Sequence, residues 1–148
     1  KKLKTPKIKI QISGEVKKIE TELDMWKYLK GSKKELKVNK ELGYNYKYSE
    51  GKMIFPDDLE KPSRTIITGE GGQSPSRFKH VIQPNPDLDV FRRLIPNELE
   101  SLNMFPPDHT KHEKVTDAKR AFFMGNALVV GVVEKIGIQL TKEIKSSL

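Results

Sequence analysis

Residues 119–140 read KRAFFMGNALVVGVVEKIGIQL. A basic, aromatic lead-in meets Gly125-Asn126, and an apolar pattern follows at once. Counted as a helix, Val129, Val132, Val133, Ile136 and Leu140 fall on one face. The spacing predicts a long last helix over about residues 127–145. Gly125-Asn126 supplies the turn that opens it, with Asn126 as N-cap. Such a start presents N–H donors and a partial positive charge, which suit a carboxylate or phosphate. A capped helix alone also accounts for these residues, because Gly-Asn turns are common.

Residues 92–106, RRLIPNELESLNMFP, lie upstream. Pro96 suits a first helical turn, and Glu98 and Glu100 sit near its positive end. Leu94, Leu99, Leu102 and Phe105 form an apolar stripe. The order Arg-Leu-x-Pro-x-Glu-x-x-x-Leu-x-x-Phe-Pro, a spacer, then Gly-Asn-Ala-Leu-Val-Val resembles the last two conserved blocks of DNA (cytosine-5) methyltransferases. Arg93, Leu94, Pro96, Glu98, Leu102, Phe105 and Pro106 carry the first block. Gly125, Asn126, Ala127, Leu128, Val130, Val133 and Ile136 carry the second. Residues 61–82, KPSRTIITGEGGQSPSRFKHVI, are similar to the Thr-apolar segment and Gly-rich loop of that family's target-recognition region, through Thr65, Ile66, Gly71 and Gly72. The resemblance covers about residues 55–148. Residues 1–54 carry no assignable motif.

The resemblance implies a division of labour. Residues 1–90 are expected to read DNA. Residues 91–148 are expected to pack on a domain that binds S-adenosyl-L-methionine. Gly125, Asn126, Ala127 and Leu128 would complete the cofactor pocket. Members of the family often carry Ser where Ala127 stands, so contact there falls to backbone or Asn126. An aromatic often precedes the Gly by four residues, where this chain has Ala121 followed by Phe122 and Phe123.

The chain has no cysteine. The family's nucleophile is a Cys thiolate in a Pro-Cys motif. The main Gly-rich cofactor fingerprint is also absent. The chain therefore reads as a C-terminal portion, with no catalytic residue of its own and its catalytic domain elsewhere. A natural split enzyme is the lesser possibility. Zero cysteine also removes disulfides and Cys-based zinc sites. His109 and His112 have metal-pair spacing but lack a third matched ligand, so no metal site is expected. No apolar run of 18 residues occurs, so no membrane span is expected, and a soluble cytoplasmic protein is the default.

The formal charge is +8, and 28 Lys and Arg stand against 20 Asp and Glu in 148 residues. Seven of the basic residues lie in the first 18 positions. Positive charge of this size favours double-stranded DNA through phosphate neutralisation and counterion release. The loop at residues 64–79 is the strongest candidate for contact. Thr65 and Thr68 can donate to phosphate, and Gly69, Gly71 and Gly72 allow close backbone approach. Gln73, Ser76 and Arg77 are suited to base edges. Arg64 and Lys79 complete the basic set. By the resemblance, Thr65 touches phosphate and Gly71–Gly72 lies in the groove. An ordinary hairpin with a Gly-rich turn is the plain alternative.

The expected fold is α+β: a small twisted antiparallel sheet followed by C-terminal helices, the last one long. Ile8, Ile10 and Ile12 alternate with polar residues, turning at Ser13-Gly14 into residues 16–19. Leu23, Trp26 and Leu29 have helical spacing, with Thr21 or Asp24 as cap. Tyr44, Tyr46 and Tyr48 alternate as in a strand; packing in a sheet explains them better than base stacking. Trp26 reads as core. Residues 64–68 are predicted as a strand and residues 78–82 as its return. Hydrophobic residues make up only 35% of the chain, lean for a self-sufficient globule. The last helix is apolar around much of its circumference. Separated from a partner domain, it is expected to self-associate through residues 127–144 or to be buried in a rearranged way. Two other functional classes fit the bare residues: a non-enzymatic DNA-binding domain, and an interaction module placing its last helix in a groove.

Overall fold

The structure is a computed structural model that describes residues 8–12, 15–19 and 21–147, with side chains from residue 21 onward. The fold is α+β, with antiparallel strands first and helices after. The strands form three two-stranded ladders instead of one sheet. The chain divides into two compact units. One comprises Lys1–Lys61, Ser74–Arg77 and Val81–Arg93, and the other Pro62–Gln73, Phe78–His80 and Leu94–Leu148.

In the first unit, β1 (Ile8–Ile12) pairs with β2 (Glu15–Ile19) in the register Ile8↔Ile19. The burial expected for the first of these strands lies outside the described side chains. Helix α1 (Glu22–Lys30) starts at Thr21, whose hydroxyl accepts from the Asp24 N–H while the Asp24 carboxylate accepts from the Thr21 N–H. This reciprocal capping box satisfies two donors that a helix start leaves unpaired. Trp26 is fully buried, with Met25, Val81 and Ile82 also in the core. β3 (Lys33–Val38) and β4 (Asn45–Glu50) form a hairpin, pairing Lys33↔Glu50 at one end and Val38↔Asn45 at the other. β5 (Val81–Ile82) pairs with β6 (Arg92–Arg93). Asp57 joins the pieces: it accepts from the Val81 N–H at 2.7 Å and lies 3.6 Å from the buried Lys30 ammonium.

The second unit holds the helices α2 (Pro96–Leu102), α3 (Asp117–Asn126) and α4 (Val130–Ser146). Pro96 occupies the first turn of α2, and the Glu98 carboxylate takes the Ile95 N–H. Ile66, Leu99, Ala121 and Met124 make the core, flanked by Leu94, Phe105 and Ala127. Asn103 ties three helices together. It follows α2, its side-chain amide donates to the Met124 carbonyl near the end of α3, and its own carbonyl accepts from Val130 at the start of α4. It is buried, so each bond is made away from competing water.

Two sequence expectations change. Gly125-Asn126 closes α3 rather than opening α4, and Asn126 donates back to the Phe122 carbonyl. Val129 is the N-cap of α4, with no side-chain cap, and Asn103 serves its first turn instead. Residues 64–68 form no strand, and their return shrinks to Val81–Ile82. The physical reason is visible: Arg64 donates to the Phe78 and Lys79 carbonyls, and Glu70 accepts from the His80 N–H. Side chains thus satisfy backbone groups that a ladder would have used. By length and composition alone, the run Asp117–Ser146 spanning α3 and α4 would suffice to cross a membrane. Residues 127–129 interrupt that helical run.

Candidate functional site

The Gly-rich loop and α3 meet at two glycines. A Cβ on Gly71 would lie 2.6 Å from the Ala118 Cα and 2.8 Å from the Ala121 Cβ. A Cβ on Gly125 would lie 2.4 Å from the Thr68 nitrogen and 2.5 Å from the Ile67 carbonyl carbon. Neither position has room for a side chain, so loop and helix are fixed against each other by backbone contact. Gly71, expected to lie open toward a groove, has its vacant side turned to α3. Gly72 is exposed.

Inside this loop lies a polar cluster that sequence reasoning missed. Glu70 and His80 are both buried. Glu70 Oε1 accepts from the His80 N–H at 2.8 Å, and Oε2 stands 3.3 Å from His80 Nδ1. His80 Nε2 lies 3.2 Å from Ser63 Oγ and 3.2 Å from the Arg64 carbonyl. Lys79 is buried, and its ammonium donates to the Gly72 carbonyl at 2.7 Å. Nothing in the spacing of Glu70 and His80 marks them out, because the chain between them carries no periodic element.

These bonds sort the candidate residues. Arg64 and Lys79 have donors engaged within the loop. Thr65, Thr68, Gly72 and Gln73 are exposed on it. Ser76 and Arg77 belong to the first unit, where they border a cavity of about 390 Å³ beside Tyr28, Glu35, Tyr48 and Glu50. Arg77 donates to the Gly51 carbonyl at 2.8 Å and ion-pairs with Glu50. The Tyr48 hydroxyl donates to the same carboxylate. That hydrogen bond, with Lys33 and Arg77 nearby, holds the Glu50 carboxyl below its ordinary range despite some burial. Burial, then the bond to Glu35, pushes the Tyr28 phenol up to about 12. At pH 7 the Tyr28 and Tyr48 phenols of this wall are therefore neutral donors, and the Glu50 carboxylate that accepts from Tyr48 is charged.

A second network joins α2 to α3. The Arg120 guanidinium donates to Glu100 at 2.9 Å, Asn97 at 2.7 Å and Asp108 at 3.1 Å. Burial pushes the Glu100 carboxyl up, but the Thr110 hydroxyl, the Thr110 N–H and Arg120 outweigh it and hold it low.

The cofactor candidates sit at the α3–α4 junction. Asn126 and Leu128 are exposed, and Gly125 and Ala127 are half-buried. Phe122 and Phe123 lie beside them, exposed, with the Lys119 ammonium 4.5 Å and 5.3 Å from their ring centres. The apolar side chains of α4 face solvent, Ile136, Leu140 and Ile144 among them, and Gly131 is its buried residue. The His109 ring lies tilted against Phe105, with ring centres 4.9 Å apart, and among the described residues no group of three His, Cys, Asp or Glu side chains could hold a metal.

A family model described as C-5 cytosine-specific DNA methylase matches residues 2–142. The chain is 43% identical over 121 residues to Type II methyltransferase M.Sau3AI of Staphylococcus aureus, covering 82% of this chain and 27% of that protein. The chain thus spans about a quarter of its relative's length. No solved structure matches.

Proposed function

This chain belongs to the C-5 cytosine-specific DNA methylase family, and we propose that it is the DNA-recognising C-terminal part of a cytosine-5 methyltransferase of a type II restriction–modification system. The last helix carries the proposal. α4 has 17 residues with Gly131 buried, while Val132, Val133, Ile136, Ile138 and Leu140 are each about half exposed or more. A helix so apolar and so uncovered is built to be packed on. The occupant we assign is a catalytic domain that holds the thiolate nucleophile, which this cysteine-free chain lacks. A soluble, cytoplasmic enzyme is the setting that this reading implies.

In this reading residues 1–90 recognise duplex DNA and residues 91–148 complete the cofactor site. Thr65, Thr68, Gly72, Gln73 and Ser76 form the contact set toward DNA. Arg64 and Lys79 brace the loop through bonds to backbone carbonyls of its own unit. Arg77 braces its own unit through Glu50 and the Gly51 carbonyl. All three add positive potential, and Gly71 fixes the loop to α3. S-adenosyl-L-methionine would supply the methyl group. Exposed Asn126 and Leu128, the half-buried Gly125 and Ala127 and the neighbouring phenylalanines fit one wall of its pocket: an amide with apolar surface, open on the side another domain would close.

The test is reconstitution. The chain alone should transfer no methyl group to DNA, and should do so when mixed with a separately made catalytic domain of the family. Methyl transfer by the chain alone overturns the assignment. A mixture that stays inactive although both parts bind duplex DNA removes the docking role of α4.

A further inference from the structure

β3 is amphipathic the wrong way round. Leu36 and Val38 are 66% and 61% exposed, while Lys33, Glu35 and Lys37 on the opposite side are half-buried. The pairing Lys34↔Ser49, Leu36↔Lys47 and Val38↔Asn45 places six side chains on the outward face, all of them exposed. We propose that this face of the β3–β4 ribbon is a DNA-reading surface that enters the major groove. The inference rests on the DNA-binding reading above, and assigns within residues 1–90 a specific face and specific residues beyond the Thr65–Gln73 contact set.

Charge selects the occupant. The carboxylates of the two strands, Glu35 and Glu50, sit on the inner face, bonded to Tyr28 and to Tyr48, Lys33 and Arg77. The outer face keeps Lys34 and Lys47 and no carboxylate. At the tip, Lys40 and Glu41 offset each other. A basic face without acids favours a polyanion over an apolar protein partner. Shape agrees. A two-stranded antiparallel ribbon, with strands about 4.8 Å apart, fits a major groove about 12 Å wide. The remaining side chains have the matching chemistry. Leu36 and Val38 can lie against thymine methyl groups, Asn45 can pair with the N6/N7 edge of adenine, and Ser49 can donate or accept. Lys34 and Lys47 can each neutralise one phosphate.

The experiment measures duplex binding by fluorescence anisotropy with the 148-residue chain across a salt series. Lys34→Ala/Lys47→Ala should flatten the slope of log K against log salt by about two, at ~0.9 per phosphate contact. The equal-charge control Lys52→Ala/Lys114→Ala, at exposed positions elsewhere, should leave the slope unchanged. Asn45→Ala should lower the preference for the best duplex in a randomised pool by about tenfold, with one position of the enriched motif lost. An unchanged slope and an unchanged motif overturn the ribbon site and leave the Thr65–Gln73 surface standing. A wild-type chain that binds no duplex at low salt overturns both. A dimer split by Leu36→Lys, with DNA binding intact, makes the face an interface between copies and also overturns the proposal.

Discussion

A methyl group on Gly125 would meet the backbone nitrogen of Thr68 at 2.4 Å. Contact that close means α3 and the Gly-rich loop cannot move independently without opening a gap between them. The residue at the α3–α4 junction and the residue proposed to touch phosphate belong to one rigid piece.

Gly125→Ala should therefore act as an overpacking change, with a stability loss of roughly 1–3 kcal/mol. Urea denaturation measures it. Hydrogen exchange should rise at residues 66–72 and leave the β3–β4 ribbon unchanged. Wild-type stability and wild-type exchange in the variant would show that the loop moves aside freely. Gly131→Ala is the contrast: its Cβ would meet the flexible end of the Met104 side chain, so the loss there should be smaller.

The Arg120–Glu100 pair should dominate the acid limb of stability. The Glu100 carboxyl is held low in the folded chain, below its unfolded value of about 4.3. Its contribution is thus present above that value and lost as pH falls through the folded one. Glu100→Gln should cost stability at pH 7 and flatten the slope below about pH 4.3. Glu50 and Asp108 are also held low, so some slope remains. Removing one partner of a buried pair costs on the order of 3–5 kcal/mol, so Arg120→Met alone should be far more damaging than Arg120→Met combined with Glu100→Leu. Equal losses in the single and double variants would refute the pairing.

Arg77→Ala discriminates a structural from a reading role. The Arg77 guanidinium is tied to Glu50 and the Gly51 carbonyl. The expected result is lower thermal stability and a uniform loss of affinity for all duplexes. Loss of preference for one sequence, with stability kept, would return Arg77 to the base-reading set.

The bare chain should associate through α4. Sedimentation should show species larger than a monomer at high concentration. Val133→Asp should give a monomer with helical circular dichroism unchanged, because Val133 is 45% exposed and its replacement disturbs no core. A native chain that stays monomeric at all concentrations goes against this.

Legibility of the sequence followed local chemistry. The Thr21 cap, the Pro96 start of α2 and the strand carrying Tyr46 and Tyr48 were readable, because each rests on neighbours in the chain. β3 was not, since its apolar residues face outward and its half-buried face is Lys-Glu-Lys, the inverse of the pattern that marks a strand. Gly125-Asn126 was read at the wrong helix end, because a Gly-Asn pair suits either end and the choice was made by Asn103, more than twenty residues away. The strand expected at residues 64–68 gave way to side-chain bonds from Arg64 and Glu70 that no periodicity announces.

The single tryptophan is fully buried in the first unit, whereas three of the four helices among the described residues lie in the second. Indole emission thus reports on the strand-rich unit, and ellipticity at the helix band mostly on the other. Two optical signals from one unlabelled sample therefore follow the two units separately. Whether their melting curves superimpose measures how far the β3–β4 ribbon and the helical unit stand or fall as one.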